Sequence, residues 1–289
     1  MSTTPPIGLT IAGSDSGGGA GIQADLTTMA ALGVHGTCVI TVVTMQNTVG
    51  VQGLHPLPAA VVEAQLASVL DDLPPAGVKC GLLGTPELID LVATAVERGL
   101  PRPVVDPVLI ATSGDALTVG DSTAVVAAYR DRLLPKTRVL TPNPEEAATL
   151  LGGGAIDTVE DRRKAAAALL ALGPDAVVVT GGGTGAGPDG GGPDGGGPEG
   201  GGPDGGCVDV LADADGIVAI DGPALDTAND HGSGCTHSSA LAALLASGAD
   251  VRSACRGAHE FVRDRLTDSR DWRLGAGNGP VSHVFRSPA

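Results

Sequence analysis

Basic residues are scarce in this sequence: 17 Lys and Arg stand against 33 Asp and Glu in 289 residues, a formal net charge of -16. A surface of that sign repels nucleic acid and anionic membranes, which excludes polyanion partners. No run approaches the roughly 18 consecutive apolar residues of a membrane span. The opening stretch "MSTTPPIGLTIAG" has neither the basic segment nor the long apolar core of a secretory signal, so the cytoplasm is the expected location. The five cysteines (Cys38, Cys80, Cys207, Cys235, Cys255) are odd in number and never spaced C-x-x-C. Neither a disulfide framework nor a zinc site is indicated, and Cys38 and Cys80, set in apolar strand-like runs, read as core thiols. A G-x-x-x-x-G-K-[ST] loop is also missing, so this is no P-loop protein.

The chain is 42% hydrophobic, enough for a substantial core. Apolar, β-branched runs alternate with helix-patterned segments: "IGLTIAG" with "GIQADLTTMAALG", "CVITVVT" with "AAVVEAQLASVLDDL", "VKCGLL" with "PELIDLVATAVERG". The alternation continues through "PVVDPVLI" with "STAVVAAYRDRLL", "RVLTPN" with "PEEAATLLG", and "DAVVVTG". It predicts an α/β fold: one mostly parallel central sheet with helices on both faces, in a single domain over 1–289. Ligands of such sheets bind at the carboxyl ends of the strands.

One segment departs from this scheme. Residues 187–206 are four units of Gly-Pro-acid-Gly-Gly, without one apolar side chain. They cannot offset the entropy of ordering their own backbone, and are expected to be a disordered surface insertion. The five-residue period excludes a collagen helix.

Two glycine-rich turns carry the candidate chemistry. "IAGSDSGGGAGIQADL" follows an apolar strand and precedes a helix, a place where backbone amides can approach a ligand. "GSGC", Gly232 to Cys235, stands at the mouth of an Ala/Leu-rich helix read at 235–247. Gly232, Ser233 and Gly234 there are expected to form an anion hole at the positive helix end. That end should lower the pKa of the Cys235 thiol. No His base with a third orienting group completes a cysteine-protease constellation around it.

With "TMQNTVGVQG", "VKCGLLGT", "VVDPVLIATSGD", "LTPNPEEA" and "GAGNGPVSH" added in order, the chain resembles the hydroxymethylpyrimidine/phosphomethylpyrimidine kinases of thiamin biosynthesis. The resemblance covers nearly everything but the insertion. It implies a ribokinase-like fold, a homodimer, and ATP- and Mg²⁺-dependent phosphorylation of hydroxymethylpyrimidine and then of its monophosphate. It further implies that Gln46 binds the pyrimidine and Asp25 the hydroxymethyl group, with Leu82 and Val108 flanking the ring. Gly13 would allow close backbone approach. One primary amide can meet the ring nitrogen and the amino group of an aminopyrimidine together. Asp106 and Glu146 are implied at the magnesium and phosphates, and Asn143 near the phosphates. Asn143 also suits a helix N-cap, and Glu146 a first-turn acid. The family's V-K-G-G-H after the sixth strand is altered: Thr180 and Gly183 occupy the Lys and His positions, so a nucleotide-contacting cation is missing. Two other readings remain open, a related vitamin kinase such as a pyridoxal kinase, and a catalytically weak pyrimidine-binding module.

Overall fold

The computed structural model describes residues 4–109, 121–181, 206–223 and 225–283. The acidic repeat lies outside the described residues apart from Gly206, as does Gly183.

Among the described residues, nine strands form one sheet in the order β3-β2-β1-β4-β5-β6-β7-β8-β9. They are β1 (Ile7–Ser14), β2 (His35–Asn47), β3 (Gly50–Pro56), β4 (Gly77–Cys80), β5 (Val104–Val105), β6 (Val139–Leu140), β7 (Ala176–Val179), β8 (Cys207–Asp213) and β9 (Gly216–Gly222). Pairing is parallel from β2 through β1 and β4 to β7, and antiparallel at β2–β3, β7–β8 and β8–β9. The mostly parallel α/β sheet expected from the alternation is therefore present, with antiparallel hairpins added at both edges. "PVVDPVLI" contributes a strand of only two residues, Val104–Val105. β7 and β8, whose ends flank the repeat, are hydrogen-bonded neighbours.

The central strands are buried on both faces, as in β4 and β7, where all four residues are buried. One core gathers Leu9, Ile11, Val105, Leu140 and Val177 under α2 (Ala59–Asp72), α3 (Pro86–Glu97), α4 (Ser122–Ala128), α5 (Pro144–Leu151) and α6 (Val159–Leu170). The opposite face, with Val104, Val139, Val178 and Leu211, packs under α7 (Ser233–Ala246) and α8 (Val251–Ser269), and α1 (Gly21–Ala31) packs against α7.

Helix α7 is buried along Thr236–Ala243, nearly all round, between the sheet, α1 and α8. That explains its small side chains: a Cβ on Gly77 of β4 would meet the Ala242 carbonyl oxygen at 2.7 Å, so helix and strand are in backbone contact. Its amino end is thereby fixed at the carboxyl ends of the strands. Local signals open several of the other helices. Thr85 caps α3 ahead of Pro86, Thr158 and Asp161 make a capping box on α6, and Asp250 caps α8.

Candidate active site

Helix α7 starts at Ser233, two residues before the sequence reading put it, with Gly232 as N-cap at φ 83°. A side chain at Gly232 would collide with the backbone carbonyl of Gly19, so the two glycine-rich turns touch backbone to backbone. The Gly232 carbonyl accepts the amide and the hydroxyl of Thr236, both at 2.8 Å, and the Ser233 amide donates to Asp230. The amides of Gly234 and Cys235 have no i−4 carbonyl within the helix. Gly234 is exposed, and a Cβ there would meet none of the described residues within 4 Å. The helix end thus presents amides and dipole to open space, as an anion-binding site requires.

Cys235 corrects an expectation. Removal from water pushes its thiol up to about 12, against the smaller pull of Lys79 and the Gly21 amide, and Asp106 and Asp25 add to the rise. Desolvation and neighbouring carboxylates outweigh the helix end. A neutral thiol can pack or donate a weak hydrogen bond, but it is no poised nucleophile.

The first glycine turn also differs from its sequence reading. Its amides do not point outward to a ligand: Gly17, Gly19 and Ala20 donate to the Asp15 carboxylate at 2.7, 3.0 and 2.8 Å, and Gly18 donates to the Asp15 carbonyl. His231 Nε2 lies 3.0 Å from the same carboxylate. Burial would raise Asp15, but His231 and the turn amides hold it below the ordinary carboxylate range. The glycines let the chain close around Asp15 and pass under His231, where a Cβ on Gly19 would lie 2.5 Å from the ring. Sequence reasoning missed Asp15, though an Asp opening a glycine run is an Asx-turn signal.

Asp25 has partners that the sequence reading did not foresee. It is fully buried, and Lys79, equally buried, donates to both of its oxygens at 2.9 Å. Thr10 and Ser239 donate to it as well, each at 2.5 Å. Four hydrogen bonds from three side chains hold the carboxylate, which is the counter-ion of the buried Lys79. Burial alone would depress Lys79, but Asp25, with help from Cys235 and Asp106, raises it. A lysine inside the apolar strand segment "GVKCGLL" was the available signal, because a buried charge demands a partner.

Gly13, Leu82 and Val108 come together. Leu82 and Val42 form a small buried cluster with Val51, Leu54 and Val108 beside it, separate from the main core. A Cβ on Gly13 would lie 3.2 Å from Leu82. Gln46 reaches this region from the end of β2. The β2–β3 ladder shifts register between Met45 and Gln46, a bulge that re-aims the side chain. Ser16 holds the Gln46 backbone by two hydrogen bonds, and the Gln46 amide nitrogen lies 3.4 Å from His231 Nε2. The hairpin tip is tied down by Thr48, whose hydroxyl accepts the amides of Ala276 and Gly277. "GAGNGPVSH" therefore closes the same site.

On the other side, Asn143 and Glu146 form a capping box at α5: the Glu146 amide donates to Asn143 at 2.8 Å, and the Asn143 amide to Glu146 at 3.0 Å. The N-cap and first-turn roles weighed for them are what the structure shows. Asp106, just past β5, accepts Ser238 of α7 at 3.1 Å. Burial pushes its carboxyl up, and Lys79 and Ser238 offset this only in part. Hard oxygens so placed fit Mg²⁺. Thr180 follows β7, and its amide donates to the Pro142 carbonyl, so its backbone adjoins the Asn143 turn. Neither Lys79 nor Arg138 is free to replace its missing lysine. Lys79 is locked to Asp25, and Arg138 precedes β6 at the opposite sheet end, paired with Asp175.

A kinase acting on a small molecule accounts for this layout, in which an open helix end for anionic oxygens faces an apolar bed across buried carboxylates. The chain belongs to the phosphomethylpyrimidine kinase family, whose sequence pattern matches residues 15–282. A hydroxymethylpyrimidine/phosphomethylpyrimidine kinase of Streptomyces coelicolor is 44% identical over 280 residues, covering 97% of this chain and 95% of that protein. Among solved structures, the pyridoxal kinase of Staphylococcus aureus in complex with ADP superposes with TM-score 0.82 at 30% identity, covering 97% of this chain and 94% of that one. The phosphomethylpyrimidine kinase of Clostridium difficile gives TM-score 0.72 at 31% identity, covering 90% and 99%. The fold is ribokinase-like, as the resemblance implied.

Proposed function

We propose that the chain transfers the γ-phosphoryl group of ATP to the hydroxymethyl group of hydroxymethylpyrimidine, and then phosphorylates the monophosphate, in thiamin biosynthesis. The observation that carries this reading is the meeting of one bulge-aimed amide, Gln46, with the Leu82–Val108 apolar cluster and the open amino end of α7. The relatives, hydroxymethylpyrimidine/phosphomethylpyrimidine kinases matched over nearly their whole length, support it.

In this reading the ring lies against Leu82 and Val108, and Gln46 pairs with the amino edge. The amides of Gly234 and Cys235 stabilise oxygens that gain charge during transfer. Cys235, in its neutral form, lines the hydroxyl side, and Lys79 and Asp25 brace the floor. Asp106 and Glu146 would hold Mg²⁺, which when bound neutralises phosphate charge. Asn143 orients Glu146, and Thr180 borders the nucleotide without supplying a charge. A nucleotide-binding role agrees with the ADP complex of the Staphylococcus aureus neighbour.

The homodimer is part of the proposal. Val43, Met45 and Val49 of the β2–β3 hairpin are exposed large apolar residues beside β3, an edge strand of the sheet, and such surfaces favour association. We also place the protein in the cytoplasm. Its five free cysteines suit a reducing compartment, and no helix among the described residues is long and apolar enough to cross a membrane.

Gln46→Ala tests the pyrimidine assignment. Loss of the amide leaves the bound amino edge unpaired and weakens hydroxymethylpyrimidine binding by about 1–3 kcal/mol, measured by calorimetry. Unchanged affinity would remove Gln46 from the site. The pyridoxal kinases among the structural neighbours favour a second reading, and the same titration with pyridoxal separates the two, since tighter binding of pyridoxal would support that reading.

A further inference from the structure

A second polar cluster lies where β8 meets α8. Cys207 and Asp209, two residues apart on one face of β8, and His259 of α8 bring a sulfur, an oxygen and a nitrogen within 4.8 Å of one another. His259 Nδ1 lies 2.8 Å from Asp209 Oδ2, and the Gly181 amide donates to Oδ1 at 2.7 Å. His237 of α7 approaches from the other helix, its Nε2 4.0 Å from Asp209 Oδ2.

Asp209, His237 and His259 are at most 5% exposed. Among the described residues, neither nitrogen of the His237 ring, nor His259 Nε2, has a hydrogen-bond partner, and all three are buried. Each of the two neutral rings carries one electron pair, and with the buried carboxylate they make a donor set that a cation would satisfy, since buried polar groups are normally paired. A surface cleft lined by Gly222, Pro223, Glu260 and Arg263 reaches His259 and supplies an entry path. Cysteine spacing alone gave no sign of this site, because its ligands come from three elements.

We propose that Cys207, Asp209 and His259 bind a divalent zinc-like cation, with His237 closing in as fourth ligand. Thiolate, imidazole and carboxylate form a donor set suited to Zn²⁺, whose charge balances that of Asp209 and the deprotonated Cys207. The thiol proton leaves to solvent on binding. Continuing the β7–β8 register one residue past Val179 and Val210 sets Asp209 opposite Thr180. The cation would therefore lie beside the strand end where the family's lysine is missing, and would put positive charge back into that neighbourhood.

The test uses the full chain, stripped with chelator and dialysed. Titration with Zn²⁺ followed by calorimetry should give one equivalent bound, and Co²⁺ should produce a thiolate-to-metal absorption band. Cys207→Ser should abolish the band, Cys38→Ser should keep it, and His259→Gln should weaken Zn²⁺ at least about tenfold. Circular dichroism of the metal-free variants checks that they remain folded. In addition, Zn²⁺ should raise the thermal midpoint of the unsubstituted protein but not that of Cys207→Ser. Absence of stoichiometric binding by the unsubstituted protein, or affinity unchanged in both Cys207→Ser and His259→Gln, would overturn the proposal.

Discussion

Lys79→Met lowers the stability of this protein by about 3–5 kcal/mol, which at this chain length is a thermal midpoint drop of roughly 10 °C. The ammonium and the Asp25 carboxylate are both wholly inaccessible, and their 2.9 Å pair stands between β4, α1 and α7. Methionine fills the volume but leaves an anion in the core with only the Thr10 and Ser239 hydroxyls as donors. Removing one partner of a buried pair is worse than removing both. Lys79→Met/Asp25→Asn, which carries no buried charge and keeps polar atoms for both hydroxyls, is expected to recover most of the loss. Chemical unfolding of the three proteins measures this. A Lys79→Met change below about 1 kcal/mol would contradict the buried pair. The single variant Asp25→Asn tests the substrate role that the resemblance implies: a raised KM for hydroxymethylpyrimidine with unchanged stability would place Asp25 at the substrate.

Gly232→Ala is expected to cut turnover by about 10²–10³, the effect of losing one donor from an oxyanion hole. Gly232 adopts φ 83°, which side chains disfavour, and its Cα faces the Gly19 carbonyl so closely that a methyl group has no room. Relief requires the amino end of α7 to withdraw from the first glycine turn, which carries the amides of Gly234 and Cys235 away from the phosphate. Gly234→Ala is the matched control, because its Cβ would enter open space, so a defect there without backbone strain reports occupancy of that space by ligand. Steady-state kinetics compares them. A Gly232→Ala enzyme within about threefold of the unsubstituted rate would show that the helix end does not hold the transferring group.

Legibility in the sequence followed the range of the interactions. The six strands read from apolar runs are present because a run such as "DAVVVTG" is buried on both sides whatever its neighbours. β3, β8 and β9 escaped notice because edge hairpins carry mixed patterns, as in "GVQGLHP", whose residues are all half-buried or exposed. Helices α6 and α8 were likewise not separated from the polar segments that contain them. The candidate site divides in the same way. Gly232 was legible from its position before the helix, and the grouping of Gly13, Leu82 and Val108 from the family motifs. The pairing of Asp25 with Lys79 was not legible because the two are 54 residues apart. Asp15 had a local Asx-turn signal, but its partner His231 is 216 residues away and shows only in the fold. The Cys235 thiol was misjudged because a helix end is evident from sequence, but the removal of water around it is not.

Phosphoryl transfer to a pyrimidine is tested most directly by incubation with MgATP and hydroxymethylpyrimidine followed by chromatographic separation. The monophosphate should appear first and then be converted to the diphosphate, with one ATP consumed at each step. Pyridoxal phosphorylated in a parallel incubation while the pyrimidine remains unmodified would contradict it.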